Sequence, residues 1–513
     1  MFNWNILLKQ VRQYNYKCET NANSLKSDND CRTEFQKDFD TICNSSSLRR
    51  LQSKAQVFPL EREDFSRTRL THSIEVMSIA ESMGYTLIKM LEEKTSNPNE
   101  LESIKNIPTI LKSAALIHDI GNPPFGHISE GVISKWFTEN LSKLYFKNNQ
   151  LIYDDQVHNV NDDLEHILSS EQKEDFSNFD GNAQSLRVIT HLQNPIKQRG
   201  MNLTYPIMAT IIKYPCNPET RRNSQGKSPA KKDYFLEEKE IYMDIQKELE
   251  LNHCRHPLVF LLEASDDIAY LTADIEDACR KKLITIEDIL AEIKLKQDKI
   301  KQNNDLLNYA KNCLEYYIKS LSQINRGKQL DEHDKQIIVR QFRAQIKGKL
   351  ISESIKAFET NYQAIMEGKY EGELLKENNI LFLRNVFTDL LKDKVYYSRD
   401  IIKIKIEACK IITTLLPNYI LSAFNYDKKN KSKADDVNSL IYNTISQDYR
   451  DVCEKSINKF KEKIKQDTAL EIDEKNKRKI RQICYFNLLL VLDQISGMTD
   501  TYAFDTYHII NAM

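Results

Sequence analysis

The chain has 513 residues, a formal net charge of −1 and a pI near 6.8, so bulk charge predicts no general attraction to nucleic acid or membrane surfaces. Ten Cys stand singly at positions 18, 31, 43, 216, 254, 279, 313, 409, 453 and 484, with no CxxC pair; this excludes a zinc ribbon or thioredoxin-like centre and predicts reduced thiols in a cytoplasmic protein. The start, Met1-Phe2-Asn3-Trp4-Asn5-Ile6-Leu7-Leu8-Lys9, lacks a signal-peptide core, and no run of about 18 apolar residues exists to span a membrane.

Gly and Pro are scarce at 12 each, while Leu, Ile, Lys, Glu and Ala fill long stretches, so the predicted fold is mostly α. Residues 1–48 are polar and Asn/Ser-rich, and are expected to wrap the body as an N-terminal extension. Helices are expected over 70–92 and 107–120. The second carries Pro108 at its start, where the missing donor is harmless, and stops at Gly121. Residues 140–175 read as an acidic insertion and 217–233 as a basic, breaker-rich loop. In a helix over 257–282, Asp266, Tyr270 and Asp274 stand at i, i+4 and i+8 and share one face. Residues 285–330 and 453–482 read as Lys/Glu-rich helices, and 427–437 as a solvated loop. No internal repeat is present.

The chemistry concentrates in His118-Asp119-Ile120-Gly121-Asn122-Pro123-Pro124-Phe125-Gly126-His127-Ile128-Ser129-Glu130. A His-Asp pair ends a helix, the chain turns through Gly and two Pro, and a second His follows with a Glu three residues on. Imidazole and carboxylate together suit a divalent transition metal, and His127 with Glu130 is suited to moving protons beside it. The bland alternatives are satisfied buried polar residues and a helix cap. His72 opens an amphipathic run earlier in the chain, and Glu263-Ala264-Ser265-Asp266-Asp267-Ile268-Ala269-Tyr270 follows much later.

This ordered set of one His, a His-Asp dyad and a distant Asp resembles the HD-domain phosphohydrolases. Arg49-Arg50-Leu51-Gln52, Gln56-Val57-Phe58-Pro59-Leu60-Glu61, Arg67-Thr68-Arg69-Leu70-Thr71-His72-Ser73 and Asp180-Gly181-Asn182-Ala183-Gln184 resemble segments of the bacterial dGTP triphosphohydrolases. So do Asn202-Leu203-Thr204-Tyr205, Lys213-Tyr214-Pro215 and Ser496-Gly497-Met498-Thr499-Asp500-Thr501-Tyr502-Ala503. The matches run from about 49 to 504 in the family's order, and little is recognised over 300–400 and 420–490.

By that resemblance His72, His118, Asp119 and Asp266 hold one divalent ion, Mn or Mg in the family, although mixed His/Asp ligation also admits Fe, Co, Ni or Zn. The resemblance gives His127 and Glu130 to the hydrolysis step. It makes Lys213 and Tyr214 triphosphate contacts and Asn182 a phosphate-side residue. Asp274 would bind the 3′-hydroxyl and Gln56 would be a second sugar contact, Tyr270 would close the place of a 2′-hydroxyl, and Val57 would lie near the base. A closed sugar pocket rejects ribose by denying its hydroxyl room and a partner. Glu407 resembles the guanine-binding Glu, although its flanks depart from the family's pattern; Arg478 or Arg481 are candidates for guanine O6, against a solvated basic face.

The expected domains are an N-terminal extension over 1–48, an HD-domain catalytic core over 49–285, and a helical region over 286–513 that completes the nucleotide pocket and oligomer contacts. The expected activity is metal-dependent hydrolysis of dGTP to deoxyguanosine and inorganic triphosphate. Alternatives are a broader dNTP triphosphohydrolase, a single-stranded-DNA-responsive regulatory protein, and an inactive scaffold. Family resemblance further implies a homo-oligomer, commonly a hexamer, and a single-stranded DNA effector. Loop 217–233, with Arg221, Arg222, Lys227, Lys231 and Lys232, is the candidate DNA contact.

Overall fold

The computed structural model describes residues 1–14, 30–56, 67–154, 163–193, 199–215, 233–299, 304–326, 328–426, 436–466 and 471–512. Among them the fold is mostly α, and the only sheet is a two-stranded hairpin, Leu144–Lys147 against Gln150–Tyr153. Its turn is Asn148-Asn149, both with positive φ (51° and 61°). Two left-handed residues match the twist of the flanking strands. The hairpin lies inside the stretch read from sequence as an acidic insertion, because four-residue strands carry too few alternations to stand out. No helix among the described residues is long and apolar enough to cross a membrane.

Three helices frame the centre. Arg69–Glu92 starts at a capping box between Thr68 and Thr71 and buries His72, Val76, Ile79, Ala80, Met83, Leu87 and Met90, a spacing of three and four residues. Ile107–Ile117 is buried on nearly all sides, as its composition demands. The two pack so closely that a Cβ on Gly84 would lie 2.9 Å from Pro108 Cα. The third, Pro257–Arg280, has its first N–H groups capped by His256 and packs against both. Its length matches the sequence expectation, since Pro at the first turn and Lys281 at the end are local signals.

Residues 1–14 and 30–48 do more than wrap the surface. Trp4, Leu7, Phe35 and Ile42 are fully buried in the main core. Single apolar residues in a polar stretch can anchor a segment without giving it a periodic pattern. On the other side, Ile472–Gly497 is exposed over its first half and buried from Cys484 to Ser496. Asp493 on its inner face receives a two-pronged bond from Arg187 (Nε and Nη2, both 2.7 Å), and Arg187 also reaches Glu238 at 3.0 Å. This buried ionic cluster ties the C-terminal helices to the helix Gly181–Arg187, which borders the site.

Candidate active site

Four side chains of the sequence-predicted set converge at the meeting point of the three framing helices. His72 Nε2 lies 3.0 Å from Asp266 Oδ1, and His118 Nε2 lies 3.5 Å from that oxygen and 3.6 Å from Asp119 Oδ1. One ligand atom from each of His72, His118 and Asp119 falls within 4.8 Å of the others, close enough for a single ion to bridge.

The hydrogen bonds of His118 test whether a cation fits. Its Nδ1 is 2.7 Å from the carbonyl oxygen of Ala115. A carbonyl only accepts, so Nδ1 carries a proton, and in the neutral ring Nε2 presents a lone pair. That Nε2 is buried without a hydrogen-bond partner. That lone pair faces Asp266 Oδ1 at 3.5 Å and Asp119 Oδ1 at 3.6 Å without a hydrogen bond to either, an arrangement that a bound cation would satisfy. Backbone bonding of the far imidazole nitrogen is also how metal-ligating His side chains are oriented.

Asp119 is fixed on both oxygens: Arg69 Nη1 donates to Oδ2 at 2.7 Å and Asn122 Nδ2 to Oδ1 at 2.6 Å. Burial alone would raise its carboxyl, but His118 and Arg69 hold it well below the usual range. Arg69 is buried and also underlies Gly126, where an added Cβ would lie 2.1 Å from its Nη2.

His127 opens the helix His127–Asn140 and is exposed. Its Nδ1 is 2.9 Å from Glu130 Oε2, and that bond raises the imidazole above its ordinary value. Glu130 does not cap the helix. Its Oε1 accepts the backbone N–H of Gly181 at 3.1 Å. Gly181 can come this close only because it lacks a side chain: a Cβ there would lie 2.6 Å from Glu130 Oε1 and 2.0 Å from Asn122 Oδ1. The Asp180-Gly181-Asn182 segment thus reaches the site through the Gly181 backbone, while half-buried Asn182 bonds through its N–H to Asp180, the cap of its own helix.

Lys213 ends the helical stretch after Tyr205–Ile211, and its Nζ is 3.5 Å from Asp266 Oδ2. Burial works against its charge, but Asp266, Glu263 and Asp267 outweigh it and raise its pKa. The backbone N–H groups of Lys213 and Tyr214 both donate to Asp233 Oδ2, a buried carboxyl pushed up to about 7 by burial. Tyr214 itself is exposed.

Tyr270 and Asp274 meet through a residue that sequence reasoning missed. Tyr396 donates its hydroxyl to Asp274 Oδ2 at 3.2 Å, and the Tyr270 hydroxyl contacts the Tyr396 hydroxyl. Tyr396 ends a π-helical turn, Lys392–Tyr396, in the region where no motif was recognised. Asp274 Oδ1 and Gln56 Oε1 are buried acceptors without partners. Val57 and residues 217–232 of the basic loop lie outside the described residues, as does most of the 427–437 loop. Glu407 stands exposed on the helix Arg399–Asn425. Arg478 pairs with Glu474 at 2.9 Å and Arg481 donates to the Ile167 carbonyl at 3.1 Å, in keeping with an ordinary basic helix face.

The arrangement offers a cation position, one fixed lysine charge, an oriented His–Glu pair open to solvent, and two unpartnered buried acceptors. That is the equipment for binding and cleaving a phosphate ester bearing hydroxyl groups.

No family model matches the chain. It is 34% identical to a deoxyguanosinetriphosphate triphosphohydrolase-like protein of Listeria innocua and 33% identical to one of Listeria monocytogenes, over 99% of the length of both partners in each case. It is 28% identical to a deoxyguanosinetriphosphate triphosphohydrolase of Salmonella typhimurium over 95% of each chain.

Proposed function

The chain belongs to the deoxyguanosinetriphosphate triphosphohydrolase family, and from that membership we propose that it hydrolyses dGTP to deoxyguanosine and inorganic triphosphate. The observation that carries the reading is the convergence of His72, His118, Asp119 and Asp266, with His118 Nε2 left unpartnered, beside the exposed His127–Glu130 pair. His72, His118, Asp119 and Asp266 would hold one divalent ion, Mn or Mg as in the family. Such an ion withdraws charge from a phosphate and acidifies water near it.

The chain's own groups supply the rest. Lys213 would pair with the triphosphate as a point charge. Attack of water at the α-phosphorus breaks the bond to the 5′-oxygen, which leaves as the nucleoside hydroxyl. His127, its imidazole raised by the bond to Glu130, would supply the proton that this oxygen takes up, and Glu130 keeps the ring from turning. Asp274 Oδ1 and Gln56 Oε1 would accept from the 3′-hydroxyl. Tyr270 would fill the space a 2′-hydroxyl needs.

Phosphorus NMR of a dGTP digest with Mn tests the reading. Triphosphate and deoxyguanosine are expected; pyrophosphate with dGMP would place the chain in another reaction class. A panel of the four dNTPs separates a dGTP enzyme from a broader one.

A further inference from the structure

Two motif regions take no part in that chemistry: the stretch just after Arg49-Arg50-Leu51-Gln52, and Ser496 to Ala503 near the end of the chain. The fold brings them together beneath the loop that joins the His-Asp dyad to His127. Lys54 is 1% exposed, and its Nζ donates to the carbonyl oxygens of Asn122 and Ser496, both at 2.6 Å. Asp500 is 3% exposed; its Oδ1 accepts the N–H of Phe125 at 2.9 Å and its Oδ2 the N–H of Ala55 at 2.8 Å. One lysine and one aspartate thus grip both ends of Asn122–Phe125 and hold them to residues more than 370 positions away.

The loop needs this grip. Phe125 and Gly126 are both left-handed, with φ of 62° and 60°. Glycine tolerates that conformation, but a side chain does so at a cost of about 1 kcal/mol or more, and such residues persist when their surroundings over-determine them. His127 follows directly, so the direction in which its ring leaves the backbone is set by these two residues. The turn cannot relax on its other side either, because Gly126 rests on the Arg69 guanidinium. Arg69 in turn donates its backbone N–H to the Lys54 carbonyl at 2.8 Å.

We propose that Lys54 and Asp500 are positioning residues for His127: by fixing the left-handed Phe125–Gly126 turn they aim the imidazole at the substrate, which makes the C-terminal segment part of the working site. The inference rests on the reading of His127 as the proton carrier.

The test uses the full-length protein with Mn and dGTP. Asp500→Asn keeps the shape but turns an amide against a backbone N–H. It should lower kcat about 10- to 100-fold, the loss that a misplacement of about 1 Å produces, with KM and bound metal unchanged. In a His127→Ala background the same substitution should cause no further loss. Lys54→Met, which keeps the stem and removes both bonds, should behave alike and serves if Asp500→Asn protein does not accumulate. An unchanged kcat, a parallel loss of metal or rise in KM, or an added loss in the His127→Ala background overturns the proposal. A parent that leaves dGTP intact, or a fully active His127→Ala protein, overturns instead the reading on which it rests.

Discussion

Adding a single methyl group at Gly181 should displace both Glu130, the support of His127, and Asn122, the amide that fixes Asp119. In Gly181→Ala the new Cβ would lie 2.0 Å from Asn122 Oδ1 and 2.6 Å from Glu130 Oε1, where ordinary contact begins at 3.4 Å. Neither neighbour can yield freely. Glu130 is tied to His127 at 2.9 Å and to the Gly181 N–H at 3.1 Å, and Asn122 is tied to Asp119 at 2.6 Å. Relief therefore moves Glu130 and Asn122 by about 1 Å and drags His127 and Asp119 with them, shifts of the size that cost on the order of 100-fold in rate. Overpacking of this kind destabilises by about 1–3 kcal/mol, so the protein should remain folded. Steady-state hydrolysis of dGTP by Gly181→Ala, with urea unfolding in parallel, provides the assay. A folded variant whose kcat stays within about twofold of the parent would refute the argument that Gly181 holds Glu130 in place.

Further outcomes follow from other contacts. His118→Ala and Asp266→Ala should each abolish retained divalent metal and turnover together; stoichiometric metal in the Asp266→Ala protein would remove that residue from the ligand set. Tyr270→Ala should narrow the preference for dGTP over GTP, and a variant as selective as the parent would put the sugar gate elsewhere. Arg187→Met removes the guanidinium shared by Asp493 and Glu238, leaving Glu238 with His191 and Asp493 with the Gln184 amide, and breaking such a buried cluster should cost about 3–5 kcal/mol in chemical denaturation. His256 is fully buried, and burial lowers its pKa from 6.5 to about 4. Its neutral form is therefore the one the fold favours. The stability it contributes is complete above pH 6.5 and is lost as pH falls toward 4, about 3 kcal/mol in all. His256→Gln should flatten the urea midpoint across that window.

The mostly α class was legible from few Gly and Pro and from apolar spacings of three and four, which are local properties. Helix starts at Arg69, Ile107 and Pro257 were legible for the same reason: capping residues and first-turn prolines act within one turn. The candidate ligands could be named because the order of one His, a His-Asp dyad and a distant Asp resembles that of the HD-domain phosphohydrolases. Tertiary structure alone decided what lies between the motifs. Tyr396 reaches Asp274 across 122 positions, and no periodicity encodes such a contact. The hairpin was too short to declare itself. Gly181 and Asp500 stand in sequence only as members of segments that resemble the family's. Their meeting with Glu130 and Phe125 depends on how helices from opposite ends of the chain pack. Sequence therefore determined which residues carry lone pairs and charge. Packing decided which of those groups were left without a donor, because burial removes the water that would otherwise satisfy them all.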